Sequence, residues 1–212
     1  MLRKNDICRL RIEDMSDDGA GIGKVYIETE TDSADSTDST DTALNSGKGF
    51  VLFVKDALTG DFCEVRIIKL KKHYGYARLL NIIQESPLRT RARCSVAAKC
   101  GGCQLQHMDY KAQLAFKENR VRQLLKRVGG ADGYEMLPAV GMDEPWNYRN
   151  KAQYPVGCDR EGNTLSGFYA GRTHCIIQTD TCHIQMKVSD TVRAAVLRWM
   201  DNCGILPYDE KK

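Results

Sequence analysis

The chain has no hydrophobic run approaching the roughly 20 residues that a transmembrane helix needs. Its opening stretch, MLRKNDICRLRIEDM, also lacks the uninterrupted apolar core of a secretory signal peptide, because charges are scattered through it. We therefore expect a cytoplasmic protein with no membrane partner.

A disulfide framework is also poorly supported, although the chain contains nine cysteines. Their number is odd, the sequence shows no export signal, and 212 residues exceed the size of a typical disulfide-stabilised secreted domain. Cysteines that cluster are therefore better interpreted as metal ligands.

Basic residues are absent from one segment and in excess elsewhere. Residues 28–46, ETETDSADSTDSTDTALNS, contain six acidic residues and no basic one, which leaves 31 basic against 22 acidic residues, a net charge of +9, in the rest. Because this near-repeat has little apolar surface to offset the entropy of ordering, it predicts a disordered insertion. The basic remainder favours a polyanionic partner, and RNA or DNA is the common one in a cytoplasm.

Short strands are predicted on both sides of this insertion. Alternating apolar residues bounded by Gly, Asp or Lys mark five of them: ICRLRI, KVYIE, GFVLFV, FCEVRIIKL and YGYARLLNIIQ. Such strands with tight turns predict a five-stranded, OB-like barrel of the kind that binds oligonucleotides. The stretch DGAGIGK predicts a hairpin turn rather than a phosphate loop, because it lacks the Gly-Lys-Ser/Thr ending and strand-like sequence follows it.

The order of GAGIGKV, GFVLFVKDALTGDFCEV and YGYARL resembles the TRAM domain, an RNA-binding barrel. Within VKDALTGD, Gly60 permits a turn and Asp61 can hydrogen-bond to nearby backbone. The resemblance covers roughly residues 1–85, and we place the boundary of this TRAM-like domain at residue 88.

The next region contains three cysteines in one short loop, CSVAAKCGGCQLQH, at Cys94, Cys100 and Cys103. Thiolates select zinc, copper(I) or iron–sulfur centres. The glycines between the last two cysteines let the backbone approach a bulky centre and point its amides at sulfur, which favours a cluster. A zinc site with His107 as the fourth ligand and a redox Cys-x-x-Cys pair are the alternatives.

The stretch CSVAAKCGGCQLQHMDYKAQLAFKENRV closely resembles the iron–sulfur segment of the TRAM-containing 23S rRNA (uracil-5-)-methyltransferases. WNYRNKAQYPVG and GFYAGRTHCIIQTDTCHIQ are similar to the same family. The resemblance implies a [4Fe-4S] cluster held by three cysteines in this spacing and a fourth just after a hairpin. The four metal ligands are then Cys94, Cys100, Cys103 and, by position, Cys182. Cys8 and Cys63 are interpreted as small core residues, and Cys158, Cys175 or Cys203 is the alternative to Cys182 as the fourth ligand.

Residues 89–212 are predicted to form a small α+β iron–sulfur domain with an antiparallel sheet, so the fold class of the chain is α+β. Asp109 can cap a first helix, which ends at Gly129, and Ser189 can cap a second. An apolar stripe on each helix is predicted to face the core. These stripes contain Leu114, Val121, Leu124, Leu125 and Val128 in the first helix, and Val192, Ala195, Val196, Trp199 and Cys203 in the second.

Candidate RNA contacts lie in the stretches KLKK, RTRAR and WNYRNKAQ. The resemblance places the last of these, predicted to be a strand, near the bound RNA, where Tyr148 and Tyr154 could stack on unpaired bases. The predicted RNA-binding residues are Lys71, Lys72, Arg91, Arg93, Arg149, Lys151 and Gln153.

The catalytic machinery that the resemblance implies is not found. In that family a cysteine nucleophile, an acidic base and S-adenosylmethionine act in a C-terminal Rossmann-like domain, and the sequence shows no strand, glycine-rich turn and helix of that kind. We therefore expect the N-terminal, RNA-binding and [4Fe-4S]-binding part of such an enzyme, with no catalytic residues of its own, inactive alone, and with ribosomal RNA as its partner. A separate polypeptide could supply the catalytic domain. The alternative is a stand-alone zinc-bearing RNA-binding module without enzyme activity.

Overall fold

The structure of the protein is a computed structural model that describes residues 2–26 and 49–208. The predicted disordered insertion, residues 28–46, lies outside the described residues. The chain divides between Arg89 and Thr90 into two compact units. In the described residues, no helix is long and apolar enough to cross a membrane.

The first unit is a closed barrel of five strands in the order β1-β2-β3-β5-β4. Neighbouring strands are antiparallel except for β3 and β5, which run parallel. Four of the five strands predicted from alternation are confirmed. The predicted strand KVYIE overlaps the second strand only at Lys24 and Val25, because that strand begins at Gly21, within the stretch DGAGIGK that was predicted to be a turn. The five strands are β1 (Ile7–Met15), β2 (Gly21–Val25), β3 (Phe50–Lys55), β4 (Phe62–Leu70) and β5 (Tyr74–Gln84).

The barrel interior is filled by the alternate apolar side chains of these strands, since successive residues of a strand point to opposite faces of the sheet. Cys63 is fully buried among them, and burial raises the pKa of its thiol to about 11, so it is a packing residue with little thiolate character. The core comprises Leu10, Ile12, Leu52, Val54, Ala57, Cys63, Val65, Ile67 and Ala77.

The turn predicted at Gly60 and Asp61 joins β3 to β4. Gly60 has a φ of 95°, a left-handed conformation that favours glycine. The buried Asp61 carboxylate accepts hydrogen bonds from the backbone amides of Leu58 (2.7 Å) and Ser86 (2.8 Å), as the sequence predicted, and also from Arg89 (2.7 Å). The turn is therefore tied to the chain that leaves β5.

The second unit contains two helices and a small antiparallel sheet of order β6-β7-β8. Asp109 caps the first helix by accepting from the amides of Lys111 and Ala112, as predicted. The predicted cap at Ser189 is wrong, because the second helix begins at Lys187, before that residue. The elements are α1 (Tyr110–Arg127), β6 (Val156–Cys158), β7 (Thr164–Tyr169), β8 (Ile176–Gln178) and α2 (Lys187–Asn202).

The prediction that both helices turn their apolar stripes inward is also wrong. The sheet has strands of only three to six residues, too short to cover two helices, and α1 has no buried residue at all. On α2 the side chains turned inward are those of Arg193 and Met200. The exposed stripe residues are Val121, Leu124, Leu125, Val128, Val192, Val196 and Trp199.

Candidate metal centre

The four predicted ligand cysteines line one cavity of the second unit. Cys94, Cys100 and Cys103 come from the loop that precedes α1, and Cys182 comes from the segment between β8 and α2. The cavity has a volume of about 80 Å³. The structure therefore brings together sulfur atoms from positions that are far apart in the sequence.

The loop is held against the end of β7 by backbone contacts. Cys100 forms a single antiparallel bridge with Ala170, and the amide of Gly101 donates to the carbonyl of Tyr169 at 3.0 Å. A Cβ atom on Gly101 would lie 2.9 Å from the amide nitrogen of Gly171 and from that carbonyl, so only glycine fits without a shift of backbone. The sequence predicted that this glycine approaches a metal centre, whereas the close approach found at Gly101 is to the hairpin.

Hydrogen bonds reach two of the sulfur atoms directly. The amide of Gly102 donates to Cys100 Sγ at 3.4 Å, as predicted for this glycine pair. Gln106 donates from Nε2 to Cys103 Sγ at 3.2 Å, while its Oε1 accepts from the amide of Cys94 at 3.2 Å. Gln106 therefore connects Cys94 and Cys103. Sequence analysis missed this role, and the one signal for it was the position of Gln106 three residues after Cys103.

The segment carrying Cys182 is fixed to α2 by two charged side chains. Asp190 accepts from the amide of Cys182 at 3.2 Å. Arg193 donates to the carbonyls of Thr179 and Asp180, the latter at 2.7 Å. Its guanidinium therefore holds the two carbonyls that lie shortly before Cys182. Sequence analysis missed both residues, because on a helix they look like ordinary solvent-exposed charges.

The surroundings of Cys100 and Cys103 shift the pKa values of their thiols. Burial raises the pKa of Cys100 and of Cys103, a rise that the hydrogen bonds from Gly102 and Gln106 partly oppose. The charges of the other thiols of the set raise both pKa values further. Without a metal these two thiols are therefore neutral at physiological pH, whereas a bound cation would favour the thiolates.

The described residues contain no preformed metal site. A tetrahedral zinc ion with Zn–S bonds of about 2.3 Å brings its sulfurs to about 3.8 Å from one another. Within residues 2–26 and 49–208, no three His, Cys, Asp or Glu side chains are arranged to hold one ion. His107, the alternative fourth ligand, is not among the described residues that line the cavity.

The cavity fits a group of several atoms better. Its volume is several times the roughly 10–15 Å³ that one water-sized particle occupies. Gln185 lines the wall and is 4% exposed, and its side-chain oxygen has no hydrogen-bond partner in the described part of the chain. The four sulfurs that line the cavity are soft donors, which zinc, copper(I) and iron–sulfur centres share as ligands.

The remaining cysteines lie elsewhere, since none is among the described residues that line this cavity. Cys63 is in the barrel core, and Cys8 packs beside that core. Cys158, Cys175 and Cys203 are exposed.

The seven predicted RNA-binding residues are all exposed and are divided between the two units. Lys71 and Lys72 lie in the turn between β4 and β5 of the barrel, whereas the other five belong to the second unit. The guanidinium of Arg93 lies 5.1 Å from the ring centre of Trp146, and Arg149 lines the sulfur cavity. The others, Arg91, Lys151 and Gln153, have exposed side chains in irregular segments.

The strand predicted at WNYRNKAQYPVG is wrong for most of its length. Strand β6 begins only at Val156, and before it a single parallel bridge joins Arg149 to Gln185. Tyr148 is 53% exposed and can meet a base. Tyr154 is engaged inside the unit: its ring lies 4.8 Å from that of Phe168, and burial raises the pKa of its hydroxyl to about 12.

Known proteins are similar to this chain in both of its units. The TRAM domain family matches residues 3–80. An RNA methyltransferase of Halalkalibacterium halodurans, named as uncharacterized, is 42% identical over 211 residues, which are 100% of this chain and 41% of that protein. Proteins of the same name from Bacillus cereus and Listeria innocua are each 39% identical, with the same shares covered.

A solved structure has a similar fold. The tRNA (uracil-54, C5)-methyltransferase of Pyrococcus abyssi, in complex with S-adenosyl-L-homocysteine, matches with a TM-score of 0.51 and 21% identity. The match covers 91% of this chain and 37% of that one. The chain thus contains a TRAM domain and is similar over its whole length to RNA methyltransferases, of whose length it spans 41%.

Proposed function

We propose that this chain is the RNA-binding and [4Fe-4S]-binding part of an S-adenosylmethionine-dependent RNA (uracil-5-)-methyltransferase that acts on ribosomal RNA. The observation that carries the proposal is the convergence of Cys94, Cys100, Cys103 and Cys182 on one cavity. Three of these sulfurs come from a loop and one from the far side of a hairpin, so a bound group would cross-link the two.

The ligand role of the four cysteines is supported by the residues around them. Gly102 and Gln106 direct hydrogen bonds at two of the sulfurs, which stabilises thiolates and tunes a bound cluster. Asp190 and Arg193 position the segment of the fourth. A bound cluster would supply structural cross-linking here, since the binding energy of a metal centre becomes folding energy when the site exists only in the folded state.

The RNA role is supported by the TRAM barrel and by the exposed basic residues of both units. RNA phosphates attract such surfaces without regard to base sequence. S-adenosylmethionine and the uracil-modifying chemistry belong, in this proposal, to the part of the relatives that this chain does not span. A catalytic domain in the same or a separate polypeptide would supply both.

Two measurements on the full chain test the proposal. Anaerobically purified protein should contain about four iron and four sulfide per chain, because that is the composition of a [4Fe-4S] centre. Its affinity for a ribosomal RNA fragment should fall with salt by about 0.7–0.9 log units per phosphate contacted for each tenfold rise in concentration. One zinc per chain and no iron would favour the zinc-bearing module instead, and RNA binding that is absent or independent of salt would contradict the RNA role.

A further inference from the structure

Three aromatic side chains form a cluster on the outer face of the barrel. Phe53 of β3 lies directly opposite Tyr76 of β5, and Tyr74 lies two residues before Tyr76. The three ring centres are 5.6–5.7 Å from one another. Their neighbours along each strand, Leu52 and Ala77 among them, point into the core, so the rings point outward.

This aromatic cluster is only partly covered. Tyr74 is 36% and Tyr76 is 37% exposed, while Phe53 is half-buried between the two strands. Cross-strand aromatic pairs stabilise a sheet, which explains why the rings contact each other. That stabilisation does not require the two tyrosines to be exposed, and exposed aromatic side chains are what nucleic-acid bases stack upon.

A row of cations crosses three strands next to the cluster. Lys55 of β3 faces Arg78 of β5, and Arg78 faces Arg66 of β4. All three side chains are exposed, and in the described part of the chain the arginines form no ion pair, while Lys55 approaches Asp56 only at 3.9 Å. Like charges directly opposite one another destabilise a sheet, so this row costs the barrel stability in the absence of an anion.

The two features have the arrangement of a single nucleotide-binding surface. The cation row follows the aromatic row by two residues on both β3 and β5, a distance of about 6.6 Å along a strand. A base stacked on the tyrosines can therefore place its phosphate on the cations. Lys69, paired with Tyr76 across β4, adds a fourth basic residue at the edge of the rings.

We propose that this surface, composed of Phe53, Tyr74, Tyr76, Lys55, Arg66 and Arg78, binds unpaired RNA nucleotides by stacking their bases and neutralising their phosphates. The inference rests on the RNA-binding part of the proposed function and assigns it to one face of the barrel. The sites predicted from sequence, Lys71 and Lys72, lie in the turn just before this face. The aromatic component makes the surface selective for unpaired bases, because paired bases in a duplex keep their faces stacked on each other.

The test measures binding of the full chain to a fluorescein-labelled single-stranded RNA of about 12 nucleotides, within the range of one barrel's site. Tyr74→Ala and Tyr76→Ala should each weaken binding about 5- to 100-fold, the effect of losing one stacked base. Neither should alter binding to the same backbone made of abasic nucleotides. Arg78→Gln should weaken binding to both ligands and reduce the salt slope by about 0.7.

Tyr134→Ala is the matched control, because Tyr134 is also 37% exposed but lies in the second unit. It should bind the RNA like the wild type. If an alanine variant unfolds, Tyr76→Leu replaces it in the binding measurement, because leucine keeps apolar contact with Phe53 but offers no aromatic face. This variant should also weaken binding to the RNA.

Each result has a distinct meaning. Wild-type affinity in both tyrosine variants, or an equal loss on the abasic ligand, would overturn the stacking surface while leaving RNA binding by the chain intact. No binding of any RNA by the wild type at low salt would overturn the RNA-binding part of the proposed function together with this inference.

Discussion

The ion pair between Asp61 and Arg89 shows at the scale of single residues how the barrel closes. Asp61 is fully buried, and Arg89 is 12% exposed. Arg89 also donates to the carbonyl of Asp56, so one guanidinium holds both ends of the β3–β4 turn. The turn was predictable from Gly60 and Asp61 alone. The ion pair with Arg89 was not, because no local sequence pattern relates Arg89 to a residue 28 positions earlier.

Removal of this guanidinium should be costly at neutral pH. Arg89→Met leaves a buried carboxylate without its cation, a change that typically costs about 3–5 kcal/mol, and two remaining backbone hydrogen bonds place the expected loss near the lower value. Urea denaturation followed by circular dichroism measures this loss. Arg91→Met, which removes an exposed arginine of the same region, should change the stability by less than about 0.5 kcal/mol.

The pH dependence of the same pair follows from the pKa of Asp61. Burial raises this pKa, but the hydrogen bonds from Arg89, Leu58 and Ser86 and the charge of Arg89 outweigh burial, so the pKa lies below its usual value. The stabilisation is therefore complete above the unfolded-state pKa of about 3.9 and is lost as pH falls through the lower folded-state pKa. The stability gap between wild type and Arg89→Met should narrow below about pH 4; a gap that widens there would contradict this assignment.

At the scale of elements, the barrel was predictable and the second unit only partly so. Each barrel strand buries one face, so its own sequence carries the alternation. The segment before β6 alternates as well, but it is not a strand. It is held by one bridge to Gln185 and by the contact of Tyr154 with Phe168, and the local sequence pattern of such a segment is the same as that of a strand. The helices were located correctly, but the direction of their stripes depends on how much sheet is present to cover them.

Helix α2 should depend on Arg193 more than on its apolar stripe. The planar guanidinium donates to carbonyls of Ser166, Thr179 and Asp180, and a lysine cannot reproduce this fork. Arg193→Lys should lower the unfolding free energy of the second unit by about 2–4 kcal/mol, given about 1.5–3 kcal/mol for a charged hydrogen bond. Both tryptophans, Trp146 and Trp199, lie in this unit, so tryptophan fluorescence during urea denaturation reports it selectively.

Arg198→Lys provides the control for this experiment. It makes the same chemical change on the same helix at an exposed position. Its stability should stay within about 0.5 kcal/mol of the wild type. An equal loss of unfolding free energy in the two variants would show that the hydrogen bonds from Arg193 to the segment before Cys182 do not stabilise the unit.

At the scale of the whole molecule, the two units differ in how the residues of their candidate sites are distributed along the sequence. The barrel displays its aromatic and cationic residues on adjacent strands, so its candidate surface follows from strand register once the pairing is known. The sulfur cavity combines one local loop with Cys182, which is almost eighty residues away from Cys103. Spacing alone predicted a ligand role for the cysteines of the loop, and only family resemblance predicted one for Cys182.

The exposed stripes of α1 and α2 also belong to this scale. Val192, Val196 and Trp199 are between 43% and 57% exposed, which is unusual for an apolar helical face. The sequence pattern predicted a buried face because apolar residues at helical spacing usually face a core, and the described residues provide no core against these two faces.

The central claim is that Cys94, Cys100, Cys103 and Cys182 hold one iron–sulfur cluster, and the iron content of single variants tests it most directly. Each protein is purified anaerobically and its iron and sulfide per chain are measured. Cys182→Ser should lose most of the iron and unfold at a lower temperature, because the cross-link between loop and hairpin is broken. Cys175→Ser, an exposed cysteine outside the cavity, and His107→Ala should retain iron at the wild-type level. Loss of metal in His107→Ala together with full metal content in Cys182→Ser would contradict the account, since it would place the metal in a local site of three cysteines and one histidine.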